Sequence, residues 1–327
     1  MMYAMHADNG YLPLKHRVYT MSQSGRTQRQ PPKPSPLLED FERWCRVVKE
    51  KPFLDEKPMS DTAAACAWQD FKRPLLGRFT RHERVDFIEL LGYGEDGIVW
   101  KVNIGSQACA LKVFWDNKPL EGTKYWAVQR ECQNASLLTK MRYVINNSSD
   151  PIWLHPNPTT FREAASNLHA FSDEGRSRQL YRKMPGAVEY NTAPRLRECY
   201  GWARISGREL CAIPAHLRPP EMRSGNQVRN FWPTEEYYAI LYEYVFSSGA
   251  GLDVDVVQAQ LDFLWLGGWC FLDLQPANWG GVGILLDMAD PICLWHAGWF
   301  KSRYGKRYAR ELTEVPANHD PLRTIAQ

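Results

Sequence analysis

Three glycines at Gly92, Gly94 and Gly97, a lysine at Lys112 and a glutamate at Glu131 are residue types that suit a phosphate-bearing ligand, Asp273 suits proton transfer, and Asn278 and Asp287 are oxygen donors that suit a metal ion. The glycines form G-x-G-x-x-G, a weak signal alone. A dinucleotide-binding loop requires a helix to follow, with the pyrophosphate on its N-terminus. Here Ile98-Val99-Trp100-Lys101-Val102 follows, which reads as a strand. On the next strand Ala110 and Lys112 share a face, because alternate strand residues point the same way. Alanine there leaves room for a purine, and the lysine supplies a point charge for phosphates. Such a lysine needs an anion to hold it. Glu131 stands nineteen residues on, in a helical stretch where Ala135 and Leu138 share its stripe. Taken singly, Lys112 reads as a solvated strand lysine and Glu131 as a solvated helix carboxylate. Following a glycine loop of this type, they read as a pair.

The elements that must position these residues follow from pattern. Residues 87–91, 98–102 and 109–114 read as three strands, with Gly105-Ser106 as a turn, giving an antiparallel meander. A helix is expected over 125–141 and another over 256–266, closed by Gly267-Gly268. Strands are expected at 196–205 and 237–245, and the stretch 146–235, rich in Pro, Asn, Ser and Arg, is the least legible. A short apolar strand, 284–286, leads into Asp287. Residues 1–36 read as a disordered, polar and proline-rich tail. A short helix over 37–50 opens a region, 37–84, expected to be a helical extension or linker.

The stretch Phe271-Leu272-Asp273-Leu274-Gln275-Pro276-Ala277-Asn278 contains D-L-x-P-x-N, which resembles the protein-kinase catalytic loop H-R-D-L-K-P-x-N. Leu264 and Gly268 stand where kinases carry the L and G of L-H-x-x-G. Asp287-Met288-Ala289 is similar to the metal-binding D-F-G element, and a glycine loop between two strands is the kinase arrangement. The resemblance implies an α+β, protein-kinase-like two-lobed fold, with a β-rich N-lobe over 85–245 carrying an irregular insert at 146–235. A shortened helical C-lobe, 246–327, would hold the catalytic loop and a basic tail. It implies ATP and Mg²⁺ as cofactors. Gly92, Gly94, Gly97, Val99, Ala110 and Lys112 would bind nucleotide, and Asn278 and Asp287 the metal. Asp273 would act on the acceptor hydroxyl, with Lys112 and Glu131 completing the catalytic set. Asp290, just before Pro291, reads as a turn starter.

The sequence also departs from the kinase pattern. Phe271 and Leu272 replace His and Arg, only nine positions separate Asn278 from Asp287, and forty residues follow Asp287 without A-P-E. By resemblance this is not an ordinary peptide kinase. G-Y-G-E-D-G-I-V-W-K-V, A-L-K-V-F and D-L-Q-P-A-N-W-G-G are similar to a fungal kinase-like group labelled as the Fta-two-type subunit of the Sim-four kinetochore complex, over residues 85–300. That likeness implies an intracellular fungal protein, nuclear or cytoplasmic, with protein partners. Three functions stay open: an atypical phosphotransferase of unknown acceptor, a catalytically silent scaffold subunit of a nuclear complex, and an enzyme transferring AMP.

Composition narrows the remaining classes. Forty Lys and Arg stand against 37 Asp and Glu, a net charge of +3 that argues neither for nor against nucleic acid. No run of eighteen apolar residues exists, so no membrane span is expected, and the first residues lack a signal-peptide core. Eight scattered cysteines without C-x-x-C read as reduced thiols. Arg303, Lys306 and Arg307, with Tyr304 and Tyr308, read as a solvated amphipathic helix rather than a nucleic-acid patch. His296 reads as a packed or capping histidine.

Overall fold

The computed structural model describes residues 45–46, 48–59, 65–80, 84–224, 227–246 and 251–312. The 1–36 tail and most of the 37–50 helix lie outside them, and residues 48–50 are helical. The architecture is α+β and is organised on one seven-stranded sheet, in the order β1-β2-β8-β11-β5-β4-β3. Its strands are β1 (Leu54–Pro58), β2 (Leu76–Arg78), β3 (Val85–Tyr93), β4 (Gly97–Ile104), β5 (Gln107–Phe114), β8 (Cys199–Ser206) and β11 (Glu236–Glu243). β3, β4 and β5 form the antiparallel meander, and β11 pairs antiparallel with both β5 and β8.

Strict alternation makes β4 a strand with two distinct faces. Ile98, Trp100, Val102 and Ile104 are buried on one face, and Val99 and Lys101 point to the other. Each large apolar side chain so buried contributes roughly 1.5–3 kcal/mol. The helix α2 (Ala127–Asn147) lies across the face shared by Val99, Ala110 and Lys112. The opposite face is covered by α5 (Gly207–Ala212) and the chain beyond it, through Leu210, Ile213, Leu217 and Phe231. The helix α6 (Val254–Leu266) carries Leu261, Phe263 and Leu264 into the main core.

Two regions differ from expectation. Residues 54–58 and 76–78 extend the sheet by two parallel strands, where a helical extension or linker was expected. Phe53, Leu76 and, on the short helix α1 (Trp68–Lys72), Phe71 anchor them in the core, and Trp202 Nε1 donates to Asp55 O at 2.8 Å. Such short strands, one of them reading Leu-Asp-Glu-Lys-Pro, carry almost no period. Residues 301–310 do not form an amphipathic helix. They run as turns and loop into a short 3₁₀ helix at Ala309–Leu312, tied down by Tyr304, whose hydroxyl donates to Trp265 O at 2.7 Å, and by Lys306 on Asp262 at 3.1 Å.

The 146–235 insert folds into short pieces. β6 (Ile152–Leu154) pairs with β7 (Val188–Tyr190), framing α3 (Phe161–His169) and α4 (Asp173–Arg178). A two-stranded hairpin of β9 (Met222–Ser224) and β10 (Gln227–Arg229) precedes β11. No helix of the described residues is long and apolar enough to cross a membrane. All eight cysteines are free.

Candidate functional site

The site is built where β5, α2 and the short hairpin β12 (Trp279–Gly280) with β13 (Ile284–Leu285) converge. β5 holds Ala110, Lys112 and Phe114 toward α2, and register sets Val99 opposite Lys112. α2 turns Glu131, Ala135 and Leu138 inward, all three buried. The end of β13 delivers Asp287.

Lys112 Nζ lies 2.6 Å from Glu131 Oε2 and 3.0 Å from Asp287 Oδ1. One ammonium, 8% exposed, thus joins three elements, with Asp287 175 positions from Lys112 in sequence. Tyr242 on β11 donates its hydroxyl to Glu131 Oε1 at 2.9 Å, and Ala289 N–H donates to Asp287 Oδ1 at 2.9 Å. Arg197 stacks on Tyr242 at 4.6 Å and donates to Leu286 O at 2.8 Å, fixing the chain just before Asp287.

Burial opposes charge on Lys112, yet Asp287, Glu131 and Asp96 carry its pKa above the ordinary lysine value. Burial pushes Glu131 up to about 7, with Lys112 opposing and Asp287 adding to the rise. Asp287 is held below the usual carboxylate range despite its burial, by Lys112 and the Ala289 N–H. Asp290 is pushed up to about 6 by burial, a rise that Asn278 opposes and Asp287 reinforces.

In the glycine turn, Gly94 N–H donates to Gly97 O at 2.9 Å. Gly97 is required by packing, since a Cβ there would stand 2.2 Å from Val113 O. Gly94 is different: a Cβ would meet nothing within 4 Å, and its backbone has no positive φ. Neither strain nor packing explains glycine at that position. Asp96, in the same turn, accepts from Tyr125 OH at 2.7 Å, and burial raises its pKa.

The structure brings Val99, Ala110, Lys112, Glu131 and Asp287 together and leaves Asp273 apart. Phe271 and Leu274 anchor the loop in the core, whereas Leu272 and Asp273 are exposed. Among the described residues Asp273 makes no hydrogen bond or ion pair. The 3₁₀ turn Pro276–Asn278 follows, and Asn278 Nδ2 donates to Asp290 Oδ2 at 3.1 Å rather than to Asp287. Asp290 is therefore part of the same polar cluster and more than a turn starter.

Asp287, Asn278 and Asp290 offer the oxygen donors that Mg²⁺ prefers. Among the described residues no three His, Cys, Asp or Glu stand close enough to hold a metal unaided. A metal here would need phosphate or water oxygens to complete its shell, so the donor set fits a metal–nucleotide pair better than a bare ion.

Sequence reasoning missed Asp96, Tyr125, Arg197 and Tyr242, and set Asp290 aside as a turn starter. Asp96 lay inside the glycine motif and was legible by position, and Tyr242 shares the inner face of β11. Nothing in the sequence signals Arg197, whose role is set by a tertiary contact. The family described as Kinetochore Sim4 complex subunit FTA2 matches the chain over residues 63–261, more than half its length. That span includes the glycine turn, Lys112 and Glu131, and stops before Asp273. No curated protein matches the chain.

Proposed function

Because the chain belongs to the family of the kinetochore Sim4 complex subunit FTA2, we propose that it is a nuclear protein-complex subunit whose kinase-like nucleotide site serves binding rather than turnover. The observation that carries this reading is the buried Lys112 bridging Glu131 and Asp287. Burying the Lys112–Glu131 pair beside a half-buried Asp287 is costly unless the charges are paired and hydrogen-bonded. Here Tyr242 and the Ala289 N–H complete that pairing. The two-lobed, kinase-like description rests on this triangle together with the glycine turn and the sequence resemblance.

In this reading Lys112 holds the phosphates of ATP, Val99 and Ala110 flank the purine, and Gly94 leaves the backbone open to close approach. Asp287 and Asn278 would hold Mg²⁺, which would neutralise phosphate charge when bound. The other half of a kinase mechanism is poorly supported. Asp273 is exposed without a partner among the described residues, and Phe271 packs in the core where a kinase carries a polar histidine. Phosphotransfer to an unknown acceptor is the second reading, favoured by the retention of Asp273 and Asn278.

The test is a melting titration of the full chain with ATP, with and without Mg²⁺. Ligand at a hundred times its dissociation constant adds about 2.7 kcal/mol, which is several degrees for a protein of this size. The expected result is a Mg²⁺-enhanced rise that Asp287→Asn abolishes. No rise at millimolar ATP with Mg²⁺ would remove nucleotide binding from the proposal.

A further inference from the structure

A second polar site lies at the N-terminal end of α2, and it does not depend on nucleotide binding around Lys112. A cleft there is lined by Lys51, Lys124, Trp126, Arg130, Gln133 and His296, among others, and among the described residues no lining residue is acidic. It leaves about 20 Å³ for water-sized occupants, room for one or two waters at ~10–15 Å³ each.

Three independent features give this cleft its chemistry. First, the helix end is uncapped: Trp126 at the N-cap offers no side-chain acceptor, and the first turn carries no carboxylate. A helix of 21 residues so left presents the equivalent of roughly half a positive charge. Second, Gln129 Nε2 donates to Val48 O and Lys51 O, both at 3.0 Å, which fastens the backbone of Lys51 to the helix. Arg130 donates to Ala297 O at 3.2 Å and stacks on Tyr125 at 4.2 Å. Among the described residues it has no carboxylate at ion-pair distance.

Third, Gln133 is 2% exposed and its Nε2 has no hydrogen-bond partner. Its amide orientation follows from its neighbours. Burial, Arg130 and Lys51 keep His296 neutral, well below the ordinary histidine value. Burial keeps Cys293 a thiol, its pKa pushed up to about 11. The thiol donates to His296 Nδ1 across 3.4 Å, so His296 Nε2–H donates to Gln133 Oε1 at 2.8 Å. The amide nitrogen is left as a buried donor at the edge of a cationic cleft, a costly state when unmatched.

We propose that this cleft is an oxyanion site for a phosphate group, one oxygen reaching Gln133 and the others held at the mouth by Lys51, Arg130 and the first turn of α2. A water alone would satisfy Gln133 but would bring no anion to Lys51, Arg130 or the helix end, none of which has a carboxylate at ion-pair distance among the described residues. The charge suits a dianion better than a carboxylate. The phosphate can be free or carried on a phosphorylated side chain of a partner protein, and the two are separable by experiment.

The test is a calorimetric titration of the full chain with inorganic phosphate, and with a peptide of phosphoserine flanked by alanines, at ionic strength matched with potassium chloride. Saturable binding that weakens at least tenfold in both Lys51→Ala and Arg130→Gln is expected. Peptide binding tenfold tighter than inorganic phosphate assigns the site to a protein-borne group, and equal affinities assign it to the free anion. No saturable binding of either probe overturns the proposal. So does binding unchanged in both variants, which would locate the anion elsewhere, at Lys112 for example. Circular dichroism of each variant confirms that it is folded before its affinity is compared.

Discussion

The ion-pair centre around Lys112 and the loop that carries Asp273 are both drawn from the same kinase-like pattern, yet the fold treats them oppositely. At the centre, one ammonium is locked between two carboxylates from distant parts of the chain, and each carboxylate accepts a further hydrogen bond. In the loop, the apolar residues Phe271 and Leu274 do the anchoring, and the polar Asp273 between them faces solvent. The first region depends on every member for its charge balance; the second would hold its shape without its carboxylate. A binding role needs only the first, and a catalytic role needs both. The contrast between the two regions is therefore the physical content of the functional proposal.

The largest expected effect is at the centre. Lys112→Met leaves Glu131 buried without its counter-ion, and breaking such a pair costs about 3–5 kcal/mol. Urea denaturation should show that loss at pH 8 and a smaller one at pH 5, because Glu131, already pushed up to about 7, then takes up a proton. The double variant Lys112→Met/Glu131→Gln should recover more than half of it. Equal losses in the single and double variants would mean that the pair is not what holds these elements together.

A mid-sized effect is expected where the two regions meet, at Asp290. Its pKa is raised in the folded chain to about 6 from 3.8. The native state therefore binds its proton more tightly than the unfolded one, and the associated stability is present below pH 4 and lost as pH rises through 6. Asp290→Asn keeps an acceptor for Asn278 and removes the titration. In metal-free buffer it should stabilise the chain by roughly 1–2 kcal/mol at pH 7, after allowance for partial exposure, and by little at pH 4. A variant no more stable than wild type at pH 7 would show that solvent already relieves the buried charge.

How much of this was legible follows from what each residue depends on. Lys112 and Glu131 were readable because strand and helix geometry fix which residues share a face; the alternation itself was clear only in β4, since β5 and the first half of α2 are buried almost throughout. The position of Asp287 followed from the apolar strand before it. β1 and β2 were not readable: strands of five and three residues are too short to show alternation, and their place in the sheet is decided by Phe53 and Leu76 reaching a core assembled elsewhere. The capping box Thr160–Glu163 that starts α3 was present in the insert, but Pro- and Asn-rich surroundings hid it. Arg197 and Tyr242 reach the site only through tertiary packing. The basic run at 301–310 misled because basic residues interleaved with tyrosines suit an amphipathic helix, whereas Tyr304 and Lys306 are spent on α6.

The smallest effect should come from the loop. Asp273→Asn is expected to leave the urea midpoint where it is, since the side chain is exposed and makes no contact among the described residues. A clear loss of stability would reveal a structural tether there and erase the contrast.

The same substitution, read by chemistry, is the most direct test of a site that binds without turning over. The full chain and its Asp273→Asn variant would each be incubated with ATP labelled at the terminal phosphate, Mg²⁺ and a nuclear extract as a source of acceptors freed of endogenous kinases by heat. The expected result is the same background of transferred and released label for both. Label transfer by wild type that falls a hundredfold or more in the variant, the scale of a lost acid–base group, would make the chain a phosphotransferase and contradict the scaffold reading.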